Sequence, residues 1–175
     1  MRCVTRAARG LLAGIALLPG AAAHAAPAVD QAEALRLSQA AIGRTLGGLR
    51  FTTSDGTPFE FEQLRGRPVV LSLVYTSCYH ICSGLTLRLR ETVAVAREAL
   101  GPQSFSVVSV GFDSANDTPG RMRMYARERG VAVPGWYFLS ADAATVDELV
   151  RVVGFTYVAS PKGYDHVTQT TIIDA

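Results

Sequence analysis

Three apolar stretches of the chain have the composition of buried strands. Residues 68–76, PVVLSLVYT, form a continuous run rich in β-branched residues, and residues 104–113, SFSVVSVGFD, form a second one. Residues 135–141, GWYFLSA, supply a shorter run. Strands that are apolar on both faces are typical of parallel sheets, which helices cover on both sides. The pattern therefore predicts that these three segments form the centre of a sheet.

Segments with helical periodicity separate and follow these strands. Residues 79–100 predict a helix with one apolar face, formed by Leu85, Leu89, Val93 and Ala96. Residues 116–130 predict a second helix, with Asp117 or Thr118 as its N-cap. Residues 140–154 predict a third helix. Strands that alternate with helices in this way indicate an α/β sandwich with a mixed, mainly parallel sheet.

The two ends of the chain add smaller elements. Residues 26–48 predict a helical lead-in, and residues 49–66 predict a β-hairpin that opens a domain spanning residues 49–175. Residues 154–160 and 166–175 predict a late antiparallel pair of strands, because a short linker joins them. Since the printed sequence stops within an apolar strand pattern, we expect a further strand and a covering helix to complete such a sheet.

The charge of the chain is uneven. The first 25 residues carry three arginines and no acidic residue, whereas the remainder has 14 basic and 15 acidic residues. The apolar core GLLAGIALLPGAAA and the small-x-small sequence Ala23-His24-Ala25 are typical of a secretory signal peptide, so residues 1–25 predict export. An uncleaved membrane anchor is the less favoured interpretation, because the apolar run is short and interrupted. No basic cluster remains that would indicate a nucleic-acid partner.

An exported chain would keep two cysteines, Cys78 and Cys82, because Cys3 leaves with the signal. A disulfide that closes so short a segment restrains the unfolded chain little, so structural stapling is a poor explanation for the pair. Cys78 is expected in the first turn of a helix, where backbone N–H groups favour a thiolate. Cys82 then lies one turn further along the same face. Two such exposed thiols can close a disulfide or share one soft metal ion.

Two histidines outside the signal, His80 and His166, are candidates for a third metal ligand. His80 lies two positions from each cysteine, so on a helix it points about 160–200° away from both and is interpreted as a surface side chain. His166 begins the late strand, in a loop that can approach the end of the first central strand. Two thiolates and an imidazole suit Cu(I) or Zn²⁺, which favours His166 as a ligand over an ordinary polar surface residue.

Three blocks of sequence resemble the Sco/SenC family of thioredoxin-fold copper proteins: residues 74–82, VYTSCYHIC, residues 110–130, VGFDSANDTPGRMRMYARERG, and residues 165–174, DHVTQTTIID. The resemblance runs from near Gly56 to the end of the sequence and implies a thioredoxin-like fold. It implies ligation of copper, as Cu(I) or Cu(II), by Cys78, Cys82 and His166. Ser83 follows the second cysteine where the family usually has proline, which marks a divergent member.

Two aspartates also fall within the matching blocks. Asp165 directly precedes His166 and can orient its ring as a carboxylate partner, while a solvated turn residue is an equal interpretation. Asp113 follows the second central strand.

The resemblance implies a metallochaperone, not an enzyme, that delivers copper to a cuproprotein client such as a cytochrome c oxidase subunit. The alternative is a thiol–disulfide oxidoreductase that keeps a client's cysteines reduced, with Cys78 as nucleophile, Cys82 as resolving thiol and a thiol reductant protein as electron donor. A peroxidase of the thioredoxin superfamily is weaker, because no arginine can be assigned to activate the peroxide. Each function is expected in the periplasm, with membrane attachment only if residues 1–25 stay uncleaved.

Overall fold

The three apolar runs form neighbouring strands at the centre of one sheet. A computed structural model describes residues 28–78 and 81–174, without the side chains of residues 81–83, and the predicted signal segment lies outside these residues. Along the chain the elements are α1 (Gln31–Ala40), β1 (Arg50–Thr53), β2 (Pro58–Glu60), a 3₁₀ turn (Phe61–Leu64), β3 (Val69–Val74), α2 (Ile81–Leu100), β4 (Ser106–Gly111), α3 (Pro119–Glu128), β5 (Trp136–Ser140), α4 (Ala143–Val153), β6 (Tyr157–Ser160), β7 (Gly163–His166) and β8 (Thr170–Ile173).

The main sheet is mixed, with its parallel part in the middle. Its strands lie in the order β2-β1-β5-β4-β3-β8. β4 pairs in parallel with β3 and β5, whereas β1 pairs antiparallel with β5 and β8 pairs antiparallel with β3. The helices α2 and α3 supply the long crossovers that parallel neighbours need. The predicted α/β fold with a mixed sheet and an N-terminal hairpin is confirmed, and parallel pairing within the described residues is confined to β3, β4 and β5.

Apolar side chains fill both faces of this sheet. On one face, Leu71 of β3 and Leu149 of α4 are fully buried in a cluster that α4 covers. On the other face, Met122 of α3 is fully buried and Val93 of α2 is nearly so, in a second cluster. Leu89 and Ala96 pack against that second cluster, so the apolar face predicted for α2 is directed at the sheet.

The N-terminal elements are shorter than the sequence pattern predicts. Only Gln31–Ala40 of the expected lead-in is helical, and Gly43, with a φ of 85°, lies in the turn that follows. The hairpin pairs Phe51 with Phe59. Instead of extending the hairpin, Phe61–Leu64 forms a 3₁₀ turn, which buries both Phe61 and Leu64.

The late strands differ from the predicted pair. β6 and β7 form a separate antiparallel hairpin, in which Tyr157 pairs with His166, while β8 joins the main sheet beside β3. His166 therefore ends β7 and does not begin the last strand, because the two-residue turn at residues 161–162 reverses the chain earlier than predicted. Within the described residues, every helix is too short or too polar for a membrane span.

Candidate thiol and metal site

Cys78 lies in the turn that links β3 to α2. Its backbone N–H donates to the carbonyl oxygen of Tyr75 at 3.2 Å, and Cys78 itself is not helical, while the described α2 is Ile81–Leu100. Cys78 thus precedes the helix, and the prediction that it occupies the first helical turn is wrong. Its side chain is 8% exposed and belongs to the same core cluster as Tyr75 and Phe112, so the expectation of an exposed thiol is also wrong. The turn folds the thiol back onto the core.

Cys82 is the second residue of α2, and the structure does not describe its side chain. The whole of His80 also lies outside the described residues. Among the side chains that are described, no three groups of metal-ligating type lie together closely enough to hold an ion. Because Cys82 is not among them, the predicted set of Cys78, Cys82 and His166 stays a prediction, as does the interpretation of His80.

The late hairpin brings His166 to the carboxyl end of β3. The imidazole ring lies edge-on to the ring of Tyr75, with 5.8 Å between centroids, and to the ring of Phe112, with 5.6 Å. Phe155 contacts the same imidazole with 6.0 Å between centroids. Since the carbonyl of Tyr75 accepts from the N–H of Cys78, the histidine segment and the cysteine turn meet at Tyr75. The approach expected from the order of strands is present, although the antiparallel hairpin that produces it has other bounds than the predicted late pair.

One hydrogen bond indicates which nitrogen of the neutral His166 ring carries the proton. Its Nδ1 lies 2.9 Å from the backbone oxygen of Val167. A carbonyl oxygen only accepts, so Nδ1 carries the proton when this bond is made. The lone pair of the neutral ring is then on Nε2, which is a form in which histidine binds metal ions.

Asp165 binds the N-terminal segment. Its Oδ2 accepts from the backbone N–H of Val29 at 2.8 Å, and the side chain is partly buried. The Nδ1 partner of His166 is the oxygen of Val167, so a carboxylate from Asp165 does not fill that position. Asp165 is thus a half-buried strand residue that holds the N-terminal segment, and neither interpretation, the carboxylate partner of His166 Nδ1 or the solvated turn residue, describes this contact.

The carboxylate of Asp117 joins the ends of β3 and β4 next to the cysteine turn. The residue is 2% exposed, and its two oxygens accept from the N–H of Thr76 at 2.7 Å and of Asp113 at 2.9 Å. Burial raises the pKa of Asp117 above its ordinary value, against the opposing effect of these hydrogen bonds. Gly111 makes room for the carboxylate, since a Cβ there would lie 2.4 Å from the Cβ of Asp117.

From the sequence, Asp117 was predicted only as one of two possible caps of α3. The observed cap of α3 is Thr118, whose Oγ1 accepts from the N–H of Arg121 at 3.4 Å. The order Asp-Thr-Pro contained the information needed to predict this. A threonine directly before Pro119 can cap the helix, so the preceding aspartate is available for another contact. The carboxylate of Asp113 in turn accepts from Nδ2 of Asn116 at 2.8 Å.

A positive charge also reaches the cysteine turn. Nη1 of Arg121 lies 3.3 Å from Oγ of Ser77, which directly precedes Cys78. The arginines of this helix were interpreted as a solvated face, and Arg121 is indeed exposed. Its guanidinium is nevertheless directed towards the thiol turn, a contact that only the docking of α3 beside β3 produces.

Comparison with known proteins agrees with this geometry. A model of the SCO1/SenC family matches residues 38–175, which is most of the chain. The chain belongs to the SCO1/SenC family. The match includes the cysteine turn, Asp117 and His166, whereas most of α1 precedes it. The family resemblance inferred from the three sequence blocks is therefore confirmed.

Similar proteins include a curated relative and two solved structures. A SCO1 protein homolog of Bacillus subtilis (strain 168) is 24% identical over 120 residues, which are 67% of this SCO1/SenC chain and 60% of the relative, so the chain spans about 60% of the relative's length. The structure of Arabidopsis thaliana ScoI with copper bound has a TM-score of 0.65 at 20% identity, covering 74% of this chain and 82% of that one. A structure of BsSco, described by its disulfide switch and as a member of the Sco family of cytochrome c oxidase assembly proteins, has a TM-score of 0.61 at 20% identity, covering 74% of each chain. These likenesses support the thioredoxin-like fold.

Proposed function

We propose that the chain is a copper-binding metallochaperone, with Cys78, Cys82 and His166 as the ligands of the ion that it carries. The observation that carries the proposal is the packing of His166 against Tyr75 at the carboxyl end of β3. This contact joins the histidine to the cysteine turn, although the two are far apart in the sequence. The copper-bound structure of the Arabidopsis relative supports the choice of metal.

The chemistry of the donor groups fits the ion. Two thiolates and one imidazole are ligands that suit soft Cu(I). The hydrogen bond from Nδ1 of His166 to Val167 supports Nε2 as the ligand atom, because histidine ligands commonly donate their other N–H to a carbonyl. The rings of Tyr75 and Phe112 flank the imidazole and restrict its rotation.

Transfer to a client proceeds by ligand exchange, in which a thiolate or imidazole of the client replaces the carrier's ligands one at a time. Of the two proposed ligands whose side chains are described, His166 is partly exposed and Cys78 is buried. Of these two, an incoming group therefore meets His166 before Cys78. Release of the histidine opens the coordination of the ion, while Cys78 holds it from the protein side.

The client is a cuproprotein outside the cytoplasm, such as a cytochrome oxidase subunit. The signal-like composition of residues 1–25 supports export to the periplasm. The description of BsSco as a member of a family of cytochrome c oxidase assembly proteins supports an oxidase client. Fractionation of cells that express the full chain tests the location, because retention in the cytoplasm would contradict this part of the proposal.

The test of the metal site is Cu(I) binding under reducing conditions against a competing chelator. The protein used in this test carries the substitution Cys3→Ser, so that Cys78 and Cys82 are its only thiols. We expect one Cu(I) per chain, and we expect His166→Ala to weaken binding by more than about tenfold. His80→Ala is the matched control and should leave binding unchanged. Unaltered affinity and stoichiometry in His166→Ala would refute ligation by that residue.

The contact of Arg121 with the cysteine turn favours a second function, thiol–disulfide exchange, because nearby positive charge favours a thiolate. The Cys78 thiolate attacks one sulfur of a client disulfide, which forms a mixed disulfide and releases one client thiolate. The Cys82 thiolate then attacks the sulfur of Cys78, which releases the second client thiolate and leaves a Cys78–Cys82 disulfide. Two electrons pass to the client, and a thiol reductant protein restores the pair. The disulfide switch described for BsSco supports this alternative.

Cys82→Ser separates the two functions. If this variant binds Cu(I) normally while reduction of a disulfide substrate disappears, the oxidoreductase function is supported and the three-ligand site is wrong. Arg121→Ala should slow the alkylation of Cys78 at neutral pH several-fold if the guanidinium promotes the thiolate. Arg127→Ala, at an exposed position of the same helix, is the control.

A further inference from the structure

Residues 28–44, which we call the N-terminal strap, pack beside the segment that carries His166. Val29 is 8% exposed, and its N–H donates to Oδ2 of Asp165, the residue directly before His166. Ala34 of α1 is 3% exposed, so the helix has a buried side against the domain. Most of the strap precedes residues 38–175, which match the family model.

The strap is held on the domain at two points independent of Asp165. The carbonyl oxygen of Leu37 approaches Gly154 so closely that a Cβ on Gly154 would lie 2.4 Å from it. Nη1 of Arg44 donates to the carbonyl oxygen of Arg151 at 2.7 Å. Both contacts are at the carboxyl end of α4, shortly before β6 begins. The N–H of Val29 is therefore presented by a segment that is anchored elsewhere.

A gap remains between the strap and the histidine segment. A cavity of about 300 Å³ is lined by Gln31, Ala34, Leu35, Ser38 and residues 166–169. At the far end of this segment, Nε2 of Gln169 donates to the carbonyl oxygen of Val153 at 2.8 Å. The segment thus borders open space on the strap side, and the Val29–Asp165 hydrogen bond ties the strap to the residue directly before it.

We infer that the hydrogen bond from Val29 to Asp165 positions His166 as a ligand, which makes Asp165 a positioning residue and the strap a part of the copper site. This inference rests on the proposed ligation of copper by His166. The bond is 2.8 Å long and partly buried, so losing either partner leaves the other group without this contact. Asp165 and His166 are successive residues of β7, paired with Val158 and Tyr157 of β6, so a contact that holds the strand at Asp165 also restrains the backbone that carries His166. A ligand held in this way loses less freedom when it binds the ion.

Paired variants separate the hydrogen bond from other effects. Val29→Pro removes the N–H, whereas Val29→Ala keeps it and shortens the buried side chain. Asp165→Ala removes the acceptor, whereas Asp165→Asn keeps an oxygen that can accept. Arg36→Ala breaks an exposed ion pair with Glu33 on the same helix and serves as the control for the strap.

The measurements are Cu(I) affinity of the full chain with Cys3→Ser, by chelator competition, and the ring ¹H–¹⁵N spectrum of His166 in the metal-free protein. We expect Val29→Pro and Asp165→Ala each to weaken binding about tenfold and to shift the His166 ring signals. Val29→Ala, Asp165→Asn and Arg36→Ala should change affinity by less than about twofold. The double variant of Val29→Pro with Asp165→Ala should bind no more weakly than the weaker single variant, since both remove one hydrogen bond.

Full affinity in Val29→Pro, together with weakened binding in His166→Ala, would overturn this inference and leave the metal site intact. Unchanged binding in His166→Ala would overturn the proposed function on which the inference rests. Independent losses that multiply in the double variant would overturn the inference, because the two residues would then act separately. A loss in Asp165→Asn as large as in Asp165→Ala would also overturn it, since the acceptor oxygen would be insufficient.

Discussion

Replacing Asp117 by alanine should destabilise the fold and loosen the cysteine turn. In the wild type, the two carboxylate oxygens accept from the N–H groups of Thr76 and Asp113, at 2.7 and 2.9 Å. Alanine retains the Cβ that packs against Gly111, so the substitution removes the acceptors without opening that contact. The change therefore tests the carboxylate itself.

The expected magnitude follows from the two hydrogen bonds. A buried N–H group that loses its partner costs about 1–3 kcal/mol, and Asp117→Ala leaves two such groups. The substitution also removes the cost of burying the carboxylate, the same cost that raises the pKa of Asp117. We expect the free energy of unfolding to fall by about 2–4 kcal/mol. This is less than the maximum cost of leaving both N–H groups unpaired, because the relief of carboxylate burial offsets part of it.

Urea unfolding, followed by the fluorescence of Trp136, measures this difference. Asp142→Ala is the matched control, because Asp142 accepts one N–H, from Thr145 at 2.8 Å, at the exposed start of α4. Loss of this capping hydrogen bond should lower the free energy of unfolding by about 1 kcal/mol. The rate of Cys78 alkylation, with serine at Cys3 and Cys82, is the second measurement. It should rise several-fold in Asp117→Ala, because the turn opens more often when Thr76 loses its partner.

A loss of stability in Asp117→Ala no larger than that in Asp142→Ala would refute the reasoning about the buried carboxylate. A large loss of stability with an unchanged alkylation rate would instead refute its role in holding the cysteine turn. The two measurements therefore test separate parts of the argument.

Further substitutions test the packing and the electrostatics around this position. Gly111→Ala should lower the free energy of unfolding by more than about 2 kcal/mol, because its Cβ would overlap Asp117. Gly84→Ala, at an exposed position of α2, should raise it by up to about 1 kcal/mol, and similar effects of the two in denaturant titrations would contradict the close approach. Tyr125→Phe should cost about 1–2 kcal/mol, because the hydroxyl of Thr86 loses its partner at 2.7 Å. Adding Thr86→Val should then cost little more, and fully additive losses would argue against the pair. The stability of the wild type relative to Asp117→Asn should rise as the pH falls from neutral towards 3.8, because folded Asp117, with its raised pKa, takes up a proton before the unfolded chain does. This relative gain is complete below pH 3.8 and is lost as the pH rises through the raised pKa, so parallel pH profiles would contradict it.

The central fold could be predicted because its signals are local. A strand buried on both faces must be apolar along its whole length, which identified the segments that became β3 and β4. The helix starts also depend on neighbouring residues, and the cap of α3 was one of the two residues considered. The late hairpin was misassigned, because the turn at residues 161–162 competes with a longer strand pattern over the same residues.

The candidate site could be predicted only in part. The spacing of Cys78 and Cys82 marked a pair of thiols, but not the burial of Cys78, since burial depends on how the turn packs on Tyr75 and Phe112. The position of His166 and the chemistry of two thiols with one imidazole favoured it as a ligand, but the hydrogen bond that places its proton on Nδ1 requires the geometry of the chain after β7.

The amino-acid sequence was sufficient to predict the class of fold, the positions of the central strands and the kinds of side chain that can bind a soft metal ion. These properties depend on periodicity, local capping and the chemistry of individual side chains. Only the packing of distant segments decided that Asp117 supports the cysteine turn, that Arg121 reaches Ser77 and that Val29 binds Asp165. Such contacts join residues from separate elements, so they exist only after the sheet order and the helix positions have been set.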